Sequence, residues 1–202
     1  IGTIAVYAAE DRYSRHVQAA NESHSIGRGG RPVDAYLDID ELLRVARATG
    51  ADAVHPGYGF LSENPSLAEA CETAGIVFIG PRPETLRLLG DKVAARALAQ
   101  QAGLPVLPGT RDVEPETAAG AVESLGLPVL VKAAWGGGGR GMRRIASIAE
   151  AATMVDAARR EAHAAFGNGE VYLEKLLRGA RHVEVQILGD WHGNIVHLYE
   201  RD

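Results

Sequence analysis

Of the 21 basic residues in this 202-residue chain, three are lysines, Lys92, Lys132 and Lys175, and the rest are arginines. A chain so biased uses arginine wherever a surface cation will serve. Its lysines are therefore candidates for places that need a compact ammonium rather than a planar guanidinium. Lys132 lies near the end of the apolar run Val129-Leu130-Val131-Lys132-Ala133, where an ammonium without a partner costs several kcal/mol. It needs an anion. Shortly after it, Gly136-Gly137-Gly138-Gly139-Arg140-Gly141 offers backbone N–H groups with no Cβ in the way, the chemistry of a loop folded over phosphates.

Gly136, Gly138 and Gly141 formally satisfy the dinucleotide G-x-G-x-x-G spacing. That motif must open a helix at its glycines, whereas Met142-Arg143-Arg144-Ile145 reads as extended. No Gly-Lys-Ser/Thr follows any glycine pair, which excludes a Walker loop. Lys92 follows Gly90-Asp91 at a helix start, where the macrodipole disfavours a cation unless an anion is near, and a phosphate would resolve the conflict. Lys175 lies in Leu173-Glu174-Lys175-Leu176-Leu177. Such a strand end could clamp a flat base, its faces packed on leucine and methionine and its edge read by main chain; a surface strand end is the plainer reading. His182 shares a face with Glu184 and Gln186, as in any half-exposed sheet. His192 and His197 lack metal-ligand spacing, and Cys71 among Leu67, Ala70 and Ala74 reads as a packing position.

These groups need a scaffold. Ile4-Ala5-Val6-Tyr7 reads as a strand, Ile26 to Pro32 as loop, and Asp38 or Asp40 as the cap of a helix closed by Gly50. Ala51 to His55 is a second strand. Asn64 caps a helix with Pro65 in its first turn, and Ile76 to Ile79 is a third strand. Alternation of strand and helix with short links predicts a parallel sheet of doubly wound type. Pro81 and Pro83 mark a change of region. Asp91 then starts a helix ending near Gly103, and another runs from about Glu114 to Leu125. Strands follow at Val129–Ala133 and around Arg143–Ile145. Ser147-Ile148-Ala149-Glu150 is a capping box opening a long helix, and Glu170 to Glu174 is a strand. Arg181 to Leu188 alternates and returns through Gly189-Asp190 and Gly193-Asn194 as an antiparallel hairpin.

The composition is that of an ordinary globular protein, 46% apolar and 23% charged. A net charge of −5 argues against nucleic acid or an anionic membrane as partner, so a bound anion must be held by local donors. One cysteine allows no internal disulfide and fits a reducing, cytoplasmic setting, and no apolar run is long enough for a membrane helix. The chain opens at Ile1 almost directly on a strand and stops at Asp202 directly after another. It reads as a segment of a longer polypeptide.

Taken together, these residues resemble an ATP-grasp enzyme, specifically the biotin carboxylase domain of biotin-dependent carboxylases. Three motifs carry the resemblance: Asp52 to Glu63 (with His55-Pro56-Gly57-Tyr58-Gly59-Phe60), Lys132 with the glycine run through Met142, and Arg181-His182-Val183-Glu184-Val185-Gln186. It implies an α/β fold: a parallel, Rossmann-like pre-ATP-grasp domain over 1–85, lacking its first strand, then an ATP-grasp region over 86–202. Within the latter, about 104–177 would form an α+β lid and 178–202 the start of an antiparallel sheet. Ile26 to Val33, Trp135, Phe166 to Gly169, and Ile187 to Ile195 are similar to the branch that carboxylates pyruvate. The branch that carboxylates acetyl- or propionyl-CoA, and a non-catalytic nucleotide-binding module of the same fold, stay open.

By the same resemblance, Lys92 and Lys132 would contact the ATP phosphates, and Gly138 and Gly139 would lie in the lid over them. Met142, Glu174, Lys175, Leu176 and Leu177 would enclose and read the adenine, with His182 beside the nucleotide. Tyr58 and Gly59 would lie near biotin. The implied reaction uses ATP, Mg2+ and bicarbonate to carboxylate biotin, itself carried on another domain or chain. The implied partners are the biotin carboxyl carrier and carboxyltransferase domains, in a homo-oligomer. The family's magnesium-binding carboxylates and bicarbonate-holding arginine would lie beyond Asp202. No catalytic or metal-ligating residue is therefore assigned within the chain, and the segment alone is expected to be inactive.

Overall fold

The computed structural model describes residues 1–27, 29–135 and 142–201. Two compact units divide the chain, Ile1–Val106 and Leu107–Asp202.

In the first unit, β1 (Ile4–Tyr7) pairs in parallel with β2 (Glu22–Ser25) across the short helix α1 (Arg15–Ala19). Helices α2 (Pro32–Tyr36) and α3 (Ile39–Ala48) follow. Strand β3 (Ala53–Val54) pairs in parallel with β4 (Val77–Phe78), and α4 (Pro65–Thr73) makes the crossover. The parallel α/β pattern expected from alternation is present, as two separate two-stranded pairs rather than one continuous sheet. Asp38 caps α3 by accepting from the Glu41 amide, and Asn64 caps α4 by accepting from Ser66, with Pro65 in the first turn. Leu67, Cys71, Ile76 and Phe78 pack with Leu43, Ala46 and Leu86 into one core cluster.

Two corrections belong to this unit. The loop from Ile26 ends earlier than predicted, because Pro32 opens α2. The proline-marked change of region holds the helix α5 (Pro83–Gly90), which is followed by α6 (Lys92–Gln101).

The second unit is a four-stranded sheet in the order β5-β8-β6-β7, every pairing antiparallel, with helices on one face. Its strands are β5 (Gly109–Asp112), β6 (Val129–Ala133), β7 (Arg143–Ile145) and β8 (Val171–Lys175). Helix α7 (Ala118–Leu125) begins after the expected Glu114, since residues 114–117 form a turn. The capping box at Ser147 and Glu150 is present; it opens a 3-10 turn that continues as α8 (Ala151–Phe166). Val129, Val131, Ile145, Val171 and Leu173 are fully buried against Val122, Val155, Ala158 and Ala162 of the helices. Complete burial of a valine- or leucine-sized side chain contributes about 1.5–3 kcal/mol, so this face anchors the unit. The chain continues into the antiparallel hairpin β9 (Glu184–Gly189) and β10 (Ile195–Arg201), exposed along both strands.

Candidate nucleotide site

Side chains alternate across a pleated sheet, and the register of β6 with β8 sorts the second unit's site residues by face. Val129, Val131, Ala133, Val171 and Leu173 point to the helices. Leu130, Lys132, Tyr172 and Glu174 are left on the opposite face. There Leu130 stands across from Glu174 and Lys132 across from Tyr172, which makes Lys132 and Glu174 diagonal neighbours.

The anion that Lys132 needs is a carboxylate. Its ammonium is hydrogen-bonded and ion-paired to Glu174 Oε1, with the two side chains 26% and 10% exposed. Among the described residues Glu174 is the one charged side chain that counts as buried. The resemblance links Lys132 to phosphate and Glu174 to adenine, and the strand register links the two to each other. An ammonium has three N–H donors and one carboxylate oxygen occupies one of them, so further acceptors can be accommodated.

Lys175 ends the same strand on the helix side. Its ammonium donates to the carbonyls of Gly126 (2.8 Å) and Leu127 (3.0 Å), just past the C-terminus of α7. A cation there binds carbonyls just past the helix and faces the negative end of the helix dipole. The main-chain amides of Lys175 and Leu176 donate to Pro108 and Pro128. Leu177 is exposed, as is Met142.

The stem of the glycine run is anchored through Ala134 and Trp135. The Ala134 amide donates to the Glu170 carbonyl (2.9 Å), and the Trp135 indole N–H to Glu170 Oε2 (3.1 Å). Asn168 accepts from the Glu170 amide and so shapes the turn that presents this carboxylate. On the other side, Arg143 pairs with Glu161 of α8 at 2.9 Å. Gly138 and Gly139 lie outside the described residues.

Lys92 opens α6 in the first unit, after Asp91, whose carboxylate accepts from the Val93 (2.8 Å) and Ala94 (3.3 Å) amides. The carboxylate cap offsets part of the unfavourable placement of a cation at a helix start. Tyr58 and Gly59 lie in the loop after β3, with Tyr58 79% exposed. Gly57, Gly59 and Phe60 all take positive φ (69°, 71° and 46°). At Phe60 that conformation is rare for a bulky residue, and the Phe60 ring lies against Tyr36 at 5.2 Å between centroids. The Tyr36 hydroxyl donates to Asp11 Oδ2 (2.6 Å) and accepts from the Ala8 amide (3.0 Å). Sequence reasoning passed over Tyr36, because nothing local signals a hydroxyl that ties its helix to the turn at Ala8–Asp11.

His182 is 86% exposed and lies 3.6 Å from Glu184. Along α8, an open cleft of about 540 Å³ is lined by Asp156, Arg159, Arg160, His163 and the Asn168–Glu170 turn. Its charges are answered internally, Arg160 by Asp156 and Arg159 by Asp112 and Glu114. Among the described residues no group of three His, Cys, Asp or Glu side chains could hold a metal ion, and no helix is long and apolar enough to cross a membrane.

Comparison with known proteins gives the family. Residues 1–86 match the family described as biotin carboxylase, N-terminal domain, and residues 91–202 match the ATP-binding domain of the carbamoyl-phosphate synthase L chain. The chain belongs to the biotin carboxylase family of ATP-grasp proteins. It is 52% identical to pyruvate carboxylase of Bacillus subtilis over its whole length, while spanning 18% of that protein. Among solved structures it is similar to Rhizobium etli pyruvate carboxylase with acetyl coenzyme A (TM-score 0.88, 54% identity, 99% of this chain and 18% of that one). It is also similar to the biotin carboxylase domain of Hydrogenobacter thermophilus 2-oxoglutarate carboxylase, a dimer in complex with MgADP, ADP and bicarbonate. There the TM-score is 0.91 and the identity 41%, over 99% of this chain and 44% of that one. The chain thus spans about a fifth of the pyruvate carboxylases it matches and under half of a biotin carboxylase domain.

Proposed function

We propose that this chain is the nucleotide-binding part of a pyruvate carboxylase, in which ATP and bicarbonate carboxylate biotin by way of carboxyphosphate before the carboxyl group passes to pyruvate. The observation that carries this reading is 52% identity to a pyruvate carboxylase across the whole chain. The same reading divides the chain into a pre-ATP-grasp part over 1–85 and an ATP-grasp region over 86–202.

Phosphoryl transfer from ATP is governed by positioning and charge neutralisation, and the residues present suit that task. Lys132, half-buried beside Glu174, and Lys92 would contact the phosphates, with Gly138 and Gly139 in the lid over them. Met142, Glu174, Lys175, Leu176 and Leu177 would enclose the adenine, with His182 beside the nucleotide and Tyr58 and Gly59 near biotin. The side chain of Lys175 is engaged on Gly126 and Leu127 and its amide on Pro108.

Magnesium would neutralise phosphate charge when bound. Biotin on a carrier domain, a carboxyltransferase domain and a second copy of the enzyme are the partners this reading requires. A cytoplasmic setting is supported by the single buried thiol, Cys71.

The test is fixation of labelled bicarbonate by the full-length protein, with pyruvate compared against acetyl-CoA and propionyl-CoA as acceptors. Pyruvate-dependent incorporation is the expected result. Turnover with an acyl-CoA alone would reject the assignment.

A further inference from the structure

We infer that Glu174 is a positioning residue, whose carboxylate holds the Lys132 ammonium in the orientation that receives the nucleotide phosphates. This rests on the reading of Lys132 as a phosphate ligand and goes beyond it, because it gives the Glu174 side chain a task separate from enclosing adenine.

The geometry carries the inference. The two residues are diagonal neighbours on the face of the sheet turned away from the helices, with Leu130 and Tyr172 beside them. Glu174 is 8% exposed, and its Oε1 accepts from Lys132 Nζ. A partly buried ion pair is weak evidence for stability, since an apolar pair of similar volume commonly serves as well. The fold of this unit is already anchored on the opposite face by fully buried Val129, Val131, Val171 and Leu173. What the carboxylate adds is order in the lysine. A four-carbon stem loses much rotamer freedom when its ammonium is fixed, and a partner that fixes it beforehand removes that cost from ligand binding. The remaining N–H donors stay available to phosphate oxygens. The opposite role, a carboxylate that competes with phosphate for the ammonium, makes the reverse prediction.

The experiment compares Glu174→Gln, Lys132→Met and the double variant in the full-length enzyme. It uses calorimetric ATP affinity and the ATP dependence of bicarbonate-dependent ATPase. Glu174→Gln should weaken ATP binding roughly tenfold, the upper end of the cost of immobilising one long side chain. The ATP KM should rise to match, and any fall in kcat should be smaller than that of Lys132→Met. On the Lys132→Met background the same change should add less than about twofold, because its effect passes through the lysine. Wild-type or tighter ATP binding by Glu174→Gln overturns the inference, as do losses that multiply in the double variant. Wild-type affinity in Lys132→Met overturns the nucleotide reading itself and the positioning role with it. If Glu174→Gln does not fold, Glu174→Asp is read in its place. A loss of about threefold, for a carboxylate withdrawn by one methylene, supports the inference, and unchanged or tighter binding overturns it.

Discussion

Lys132 and Lys175 leave the same antiparallel sheet from opposite faces, the first to meet the carboxylate of Glu174 and the second to cap helix α7 at the carbonyls of Gly126 and Leu127. Two residues alike in sequence context therefore do different work. The pleat separates them: Glu174 lies on the face of Lys132, and Lys175, its neighbour in sequence, on the other.

That separation predicts a split between stability and binding. Lys175→Met should lower unfolding free energy by about 1–2 kcal/mol, the range for losing charge-assisted hydrogen bonds at a partly exposed helix end. Urea unfolding monitored by circular dichroism measures it. An unchanged midpoint would show that the two carbonyl contacts contribute nothing to the fold.

Leu173 and Leu177 form a second pair of opposites. Leu173 is fully buried in the sheet–helix core, whereas Leu177 is 59% exposed. Leu173→Ala should cost about 2–5 kcal/mol. Leu177→Ala should leave stability within about 0.5 kcal/mol while weakening ATP binding, if its side chain packs on the adenine as proposed. Calorimetric titration beside thermal unfolding separates the two effects, and full ATP affinity in Leu177→Ala would remove that residue from the site.

Tyr36 gives a pH prediction. Burial, with the hydrogen bond to Asp11, holds its hydroxyl above the ordinary value of 10.0. A group whose folded value is raised stabilises fully below its unfolded value, and that contribution is lost as pH climbs toward the folded one. Unfolding free energy should thus fall above about pH 10 more steeply in the wild type than in Tyr36→Phe. Near neutral pH, Tyr36→Phe should itself cost about 1 kcal/mol through the hydrogen bonds to Asp11 and Ala8. Parallel pH profiles for the two proteins would contradict this role.

Legibility in the sequence follows the range of the interaction that builds each feature. Asn64 with Pro65, Asp91, and Ser147 with Glu150 announced their helix starts because a cap acts within three residues. The core strands Val129–Ala133 and Val171–Lys175 were visible in their apolar pattern. Strand β2, Glu22-Ser23-His24-Ser25, was not, because its residues are polar and it exists by pairing in parallel with β1. The need of Lys132 for an anion could be read from one strand. Its partner lies 42 residues away, and only the register of β6 with β8 brings it alongside. The same limit hid Tyr36, whose partners Ala8 and Asp11 lie in one distant turn and Phe60 in another stretch of chain.

Bicarbonate-dependent ATP hydrolysis by the full-length Lys132→Ala enzyme tests the nucleotide site most directly. Loss of a donor aimed at developing phosphate charge should lower the rate by at least about a hundredfold, with the fold intact by circular dichroism. A folded Lys132→Ala enzyme hydrolysing ATP at close to the wild-type rate would contradict the site.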